Sequence, residues 1–235
     1  ESAGELMRHP GVALLVVTGG PGVVKAAMTS GKKAVCAGPG NPPCVVDETA
    51  DLAKAGRSIV EGAGFDHNVV CICEKEILAV ASVADRLKSE MAAHGAVELF
   101  GRQAEAVVKT ALADPGGPGR PGSPNKDFVG RSAQAIARAA GVEVPAGTRL
   151  LLLEVGRDHP LVWTEQLMPV IPLVRMPDAD AAIEFAVEVE HGYRHTAMIH
   201  SHDIARLSRM AKLMDCSIFV KNGPCYAGLG QGGAV

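Results

Sequence analysis

Chemistry is concentrated at Phe65-Asp66-His67-Asn68-Val69-Val70-Cys71-Ile72-Cys73-Glu74-Lys75-Glu76, a polar turn that delivers a cysteine between a helical run and a β-like run. A side chain at such a junction can face a cleft. With partial thiolate character Cys71 could attack a carbonyl, and its own backbone N–H could donate to the developing oxyanion. The alternative is a small buried apolar residue, the usual state of a free cysteine. Cys73 points the opposite way if the segment is extended and reads as a packed thiol. His67 and Asn68 lie close enough to polarise the turn, although histidines at helix ends are usually solvated. Glu165, in Trp163-Thr164-Glu165-Gln166-Leu167-Met168-Pro169, is a carboxylate just ahead of an expected buried strand. It either binds a sugar hydroxyl or caps the loop, and spacing alone leaves both open. Thr18-Gly19-Gly20-Pro21-Gly22 could bring helix N-terminal amides close to a phosphate. It lacks the full G-x-G-x-x-G spacing, and a glycine turn between strand and helix is commonly structural.

The elements that must position these residues alternate regularly. An apolar run over 12–17 reads as a strand, the glycine turn follows, and 23–28 carries a helical pattern. Strands are expected over 33–37 and 44–46, separated by the breaker Gly38-Pro39-Gly40-Asn41-Pro42-Pro43, with a helix from Ala50 to about Gly64 capped by Asp47 or Thr49. After the Cys71 turn come a strand over 76–80 and an amphipathic helix over 83–94. Residues 114–124 form the strongest loop signal, rich in Gly and Pro, and read as a surface loop. Beyond it the pattern gives helices over 132–140, 179–189 and 204–214, and strands over 148–155, 170–175, 196–200 and 217–220. This alternation predicts an α/β fold, a mostly parallel sheet flanked by helices.

Composition narrows the function classes. Apolar residues make up 47% of the 235-residue chain and aromatics only 3%, so the core must be built from Ala, Val, Leu and Ile. A net charge of −3 gives no basic footprint for nucleic acid, and no run approaches the length a membrane span needs. The six cysteines, at 36, 44, 71, 73, 216 and 225, form no C-x-x-C pair and no tight Cys/His quartet, so neither a metal site nor a disulfide framework is expected. The chain opens on Glu1 and closes on Gly230-Gln231-Gly232-Gly233-Ala234-Val235, and is expected to be part of a longer, cytoplasmic polypeptide.

Taken together these residues resemble the aldehyde dehydrogenase superfamily, specifically its CoA-acylating branch, the acetaldehyde and propionaldehyde dehydrogenases of ethanolamine and propanediol use in bacterial microcompartments. The motifs that carry the resemblance run in order through nearly the whole chain. They are Leu15-Val16-Val17-Thr18-Gly19-Gly20-Pro21-Gly22-Val23-Val24-Lys25, Ser30-Gly31-Lys32-Lys33-Ala34, Gly40-Asn41-Pro42-Pro43, Val46-Asp47-Glu48-Thr49-Ala50-Asp51 and Cys71-Ile72-x-Glu74-Lys75-Glu76. His159-Pro160, Thr164-Glu165-x-x-Met168-Pro169-Val170 and Lys221-Asn222-Gly223-Pro224-x-Tyr226-Ala227-Gly228-Leu229-Gly230 follow.

The resemblance implies that Cys71 is the catalytic nucleophile, that Thr18, Gly19 and Gly20 form the cofactor-side turn, and that Glu165 holds the nicotinamide ribose. The implied reaction takes a short aliphatic aldehyde, CoA and NAD or NADP to acyl-CoA and reduced cofactor through a cysteine thioester. Residues 1–40 would then end a nucleotide-binding domain and 41–235 would form the catalytic domain. Where hydrolytic relatives carry a glutamate base before their Gly-Gly turn, this chain has Cys36, which favours transfer to CoA over hydrolysis. Hydrolysis to the free acid, a non-catalytic assembly role and redox-free thioester exchange are the rival functions. The family places the asparagine of its oxyanion hole upstream and an arginine-rich tail downstream, so the isolated 235-residue chain is expected to have little activity. A homo-oligomer and a microcompartment shell are the partners the resemblance brings in.

Overall fold

Uninterrupted apolar runs of four or five residues, each closed by a turn former, cannot satisfy one wet face and one dry one. They belong in a sheet covered on both sides. The computed structural model, which describes residues 2–230, arranges them so. The terminal glycine-rich run from Gln231 lies outside the described residues. The chain divides after Pro39 into two compact units.

The first unit contains α1 (Ser2–Arg8), β1 (Leu14–Thr18), α2 (Pro21–Met28) and β2 (Lys33–Ala37). Its two strands pair in parallel, Leu14 opposite Lys33 and Thr18 opposite Ala37. Met7, Leu15 and Ala27 form its small core.

The second unit runs β3 (Pro43–Val46), α3 (Leu52–Ala63), β4 (Glu76–Val80), α4 (Ala81–Ala93), β5 (Ala96–Glu98), α5 (Gly101–Ala111), β6 (Leu112–Asp114), β7 (Ser123–Pro124), α6 (Ala133–Ala139), β8 (Leu150–Glu154), β9 (Val170–Met176), α7 (Ala179–Val189), β10 (Thr196–His200), α8 (Ile204–Met214) and β11 (Ile218–Lys221). Seven strands form one sheet in the order β11-β10-β3-β4-β9-β8-β5, and every pair in it is parallel. Period-two alternation sorts the side chains. Cys44, Val46, Ile77 and Ala79 face α3 and α4, where Ile59, Val60, Leu87 and Met91 cover them. Val45, Leu78, Val174 and Ile199 face α7 and α8, packed by Ile183, Phe185 and Met210.

Several expectations shift. The helix after β3 begins at Leu52, capped by Asp51, whose carboxylate accepts the Lys54 N–H at 3.1 Å. Asp47 is buried instead and accepts from the Thr49 N–H at 2.8 Å and the Ser201 hydroxyl at 2.6 Å. Ser132 is the N-cap of α6 rather than its first residue. The elements α1, β5 and α5 were not expected. β5 is three residues at a sheet edge, and α5 starts behind Phe100 with no side-chain cap, so each lacks the signals sequence reading relies on. The loop of residues 114–124 is anchored, not merely superficial. The Gly122 N–H donates to Thr164 Oγ1 at 3.1 Å, next to Glu165. Among the described residues no helix is long and apolar enough to cross a membrane.

Candidate functional site

Cys71 is half-buried on the turn between α3 and β4. The segment is a turn and not extended, so the alternation that would point Cys73 away from Cys71 does not apply. The Cys73 N–H folds back to the Val70 carbonyl at 3.1 Å, and Cys73 is buried in the core, where a packed thiol belongs. His67 is exposed, whereas Asn68 is buried and structural: its Nδ2 donates to the Ala63 carbonyl at 2.8 Å and to the Glu74 carbonyl at 3.0 Å.

Gly40 is the meeting point of the site. Its N–H donates to Glu165 Oε1 at 3.2 Å. A Cβ added there would lie 3.2 Å from the Cys71 carbonyl and 3.0 Å from Cγ of His195, so a side chain would push both away. Asn41 fixes this approach, donating through Nδ2 to the carbonyls of Val162 and Val189, each at 3.0 Å. Residues 31, 125 and 155 positions away in sequence thus converge on one glycine, Cys71 from the β4 side, Glu165 ahead of β9, and His195 ahead of β10.

The electrostatics push this cluster toward neutral forms. Burial raises the Cys71 thiol, the Glu165 charge raises it further, and the Lys75 ammonium draws it back. Burial likewise raises Glu165. His195 is lowered by burial and then by Lys75, so its ring is an uncharged imidazole at neutral pH, with Nδ1 2.8 Å from Thr196 Oγ1, while the His195 backbone N–H donates to Glu190 Oε1 at 2.8 Å. Glu74, fully buried, is pushed up to about 7 by desolvation. Glu76 is raised in the same way, and neither of its oxygens has a hydrogen-bond partner among the described residues.

Sequence reasoning missed His195 and Lys75. The signal for His195 was a polar His-Thr pair opening a fully buried strand. For Lys75 it was a charge between two acids at the start of another. Thr18, Gly19 and Gly20 lie in the first unit, where β1 turns into α2. The Gly19 N–H bonds the Ala37 carbonyl at 3.2 Å, and Gly20 is the N-cap with no side-chain cap. A Cβ added to Gly20 would meet nothing within 4 Å. Cys36 is half-buried in β2.

The second unit is thus a parallel α/β sheet that brings a half-buried cysteine, a carboxylate and an imidazole around one glycine. The chain belongs to the aldehyde dehydrogenase family, whose model matches residues 1–233. It is 47% identical over 234 residues to the CoA-propanoylating propanal dehydrogenase of Salmonella typhimurium, covering 99% of this chain and 49% of that protein. It superposes with a TM-score of 0.90 on Rhodopseudomonas palustris propionaldehyde dehydrogenase with bound CoA and an acylated cysteine, at 46% identity and covering 98% of this chain and 51% of the other. With a TM-score of 0.91 and 39% identity it also matches a propionaldehyde dehydrogenase from the Clostridium phytofermentans fucose utilisation bacterial microcompartment, covering 99% of this chain and 52% of that one. The chain spans about half the length of the relatives it matches.

Proposed function

We propose that this chain carries the acyl-transfer site of a CoA-acylating aldehyde dehydrogenase acting on a short aliphatic aldehyde, with Cys71 as the nucleophile. The observation that carries the reading is the convergence of Cys71, Glu165 and His195 on Gly40, in a chain 47% identical to a CoA-propanoylating enzyme.

The Cys71 thiolate attacks the aldehyde carbon, forming the C–S bond of a thiohemiacetal, and the Cys71 N–H donates to the oxyanion. A nicotinamide cofactor, NAD or NADP, would supply the hydride acceptor that turns this adduct into a thioester on Cys71. The residues present suit such a group. Glu165 spends Oε1 on Gly40 and keeps Oε2 for a ribose hydroxyl, and the uncapped α2 terminus at Thr18, Gly19 and Gly20 offers backbone to a phosphate. The neutral His195 ring can take the proton of an incoming thiol. The CoA thiolate then attacks the thioester carbon, acyl-CoA departs, and the Cys71 thiolate is regenerated. Cys36, in place of a carboxylate base, leaves water unactivated and favours CoA as acceptor.

In this reading residues 1–40 end the cofactor domain and 41–235 form the catalytic domain. The microcompartment relative supports housing in such a compartment; a cytoplasmic location, the shell as partner and a homo-oligomer as the working form are part of the same proposal. The test is to give the full-length protein propanal and NAD or NADP, with and without CoA, and to identify the product by mass spectrometry. Propionyl-CoA is expected, with activity lost by about 10⁴-fold or more in Cys71→Ala. Propionate formed equally well without CoA overturns acyl transfer.

A further inference from the structure

Lysine is among the side chains least often taken out of water, and an unpartnered ammonium in the core is prohibitive. Lys75 is nonetheless fully buried. All three of its hydrogen-bond acceptors lie on the turn that precedes Cys71. Nζ donates to the Asn68 carbonyl at 3.2 Å, to Asn68 Oδ1, and to the Val70 carbonyl at 3.3 Å. Asn68 completes the frame by donating to Ala63, the last residue of α3, and to Glu74.

The backbone held by this frame is unusual. Asp66, His67 and Asn68 have φ of 44°, 52° and 61°, three consecutive residues with a Cβ in the left-handed region. Such conformations persist only where surrounding contacts over-determine them, and they collect at functional sites. The ionisable groups that act on Cys71 are Cys73 and Lys75 from its own segment and Glu165 from the segment ahead of β9, and Lys75 is the cation among them. Lys75 in turn acts on Glu74, Glu76, Glu165 and His195.

We propose that Lys75 and Asn68 are positioning residues for Cys71: the buried ammonium, bonded to Asn68 and Val70, locks the left-handed turn that presents the cysteine and favours its thiolate, opposing Glu165. Lys75 touches neither aldehyde nor cofactor and acts through Cys71. The proposal rests on Cys71 being the nucleophile.

The test reads Cys71 directly, with no need of aldehyde, cofactor or CoA. Iodoacetamide alkylation of Cys71 in the full-length protein is followed by mass spectrometry across pH for the wild type, Lys75→Gln, which keeps N–H donors without the charge, and Lys75→Arg, which keeps the charge. Lys75→Gln is expected to alkylate about tenfold more slowly near neutral pH, with its profile displaced upward, and Lys75→Arg to recover most of the wild-type profile. The turnover of Lys75→Gln should improve relative to wild type as pH rises, whereas a merely structural defect would depress it equally at every pH. A folded Lys75→Gln whose profile overlays the wild type overturns the proposal. Should Lys75→Gln fail to fold, the wild type decides. A buried charge is little screened, so the profile should hold from low salt to about 0.5 M, and a profile that climbs with salt assigns the effect to exposed charges and overturns the proposal. If Cys71→Ser still oxidises aldehyde, the nucleophile reading fails by itself, while the alkylation profile still reports on the clamp.

Discussion

Two groups of charged residues lie on the same sheet and obey opposite rules. At one edge Lys88 binds Glu154 at 2.6 Å and Glu98 at 2.7 Å, while Arg175 binds the same Glu154 at 2.6 Å and also pairs with Asp85. There every net shift favours the charged form: Asp85 and Glu154 are held below the usual carboxylate range by Arg175, and Lys88, which burial pulls down, is raised overall by Glu154 and Glu98. Around Cys71 the shifts run the other way, with Cys71, Glu74, Glu76 and Glu165 raised and His195 lowered, each by burial first. The first group meets its own electrostatic needs and faces water. The second is buried or half-buried and incompletely paired, and its unmet needs are what a bound substrate could satisfy. Charge density alone therefore does not mark a site, whereas charge held against its hydration does.

The largest expected effect tests whether the second group really favours neutral forms. Glu74 accepts the Cys225 N–H through Oε1 at 3.0 Å, but Oε2 has no hydrogen-bond partner among the described residues. Its folded value of about 7 lies above the ordinary glutamate value of 4.5, so between those values the folded state holds a proton that the unfolded chain has released. Stability therefore falls as pH rises through this window and levels off above about 7. Glu74→Gln keeps an acceptor for Cys225 and removes the charge. It should be more stable than wild type at pH 8 by up to about 3 kcal/mol, the gap closing toward pH 5. Urea unfolding at the two pH values checks this, and an equal gap at both would break the comparison.

A smaller effect probes geometry instead of charge. In Gly40→Ala the new methyl would stand 3.0 Å from the His195 ring and 3.2 Å from the Cys71 carbonyl, so the ring and the turn must each yield by a few tenths of an ångström. Activity of the full-length enzyme should fall about tenfold, equivalent to about 1.4 kcal/mol of transition-state stabilisation. The unfolding midpoint should stay near that of wild type. A large loss of stability with unchanged activity per folded molecule would make Gly40 a packing residue rather than the hub of a site.

The sequence carried the fold further than the site because a covered parallel strand announces itself locally. Thr196–His200, Ala179–Val189 and Ile204–Met214 match their expected bounds because each is an unbroken apolar or amphipathic run, and both helices sit behind an aspartate cap, Asp178 and Asp203. Cys71 and Glu165 were legible as residue types at element junctions. Their meeting at Gly40 was not, because it depends on β9 and β10 lying on opposite sides of the β3–β4 pair in the sheet order. Gly40 read as a chain breaker, and only the structure gives that glycine a neighbour on each side. Lys75 was hidden because a Glu-Lys-Glu run reads as a solvated face, yet all three residues are buried.

The smallest expected effect comes from the satisfied group, and its smallness is the point. Arg175→Gln removes the bridge between Asp85 and Glu154 but leaves Glu154 its Lys88 partner. The Arg175 side chain is 31% exposed, so solvent screening limits the loss to about 1 kcal/mol or less. Because the folded-state values of Asp85 and Glu154 are depressed, the stabilisation is fully present above the ordinary carboxylate range and fades as pH falls through it. Thermal unfolding should show a modest deficit at neutral pH and low salt that disappears both in about 0.5 M salt and at acidic pH. Aldehyde turnover should be unchanged, since no residue of this group approaches Gly40. A deficit that survives salt would mean the edge network is effectively buried, and the contrast with the Cys71 turn would then be one of pairing alone rather than of pairing and hydration together.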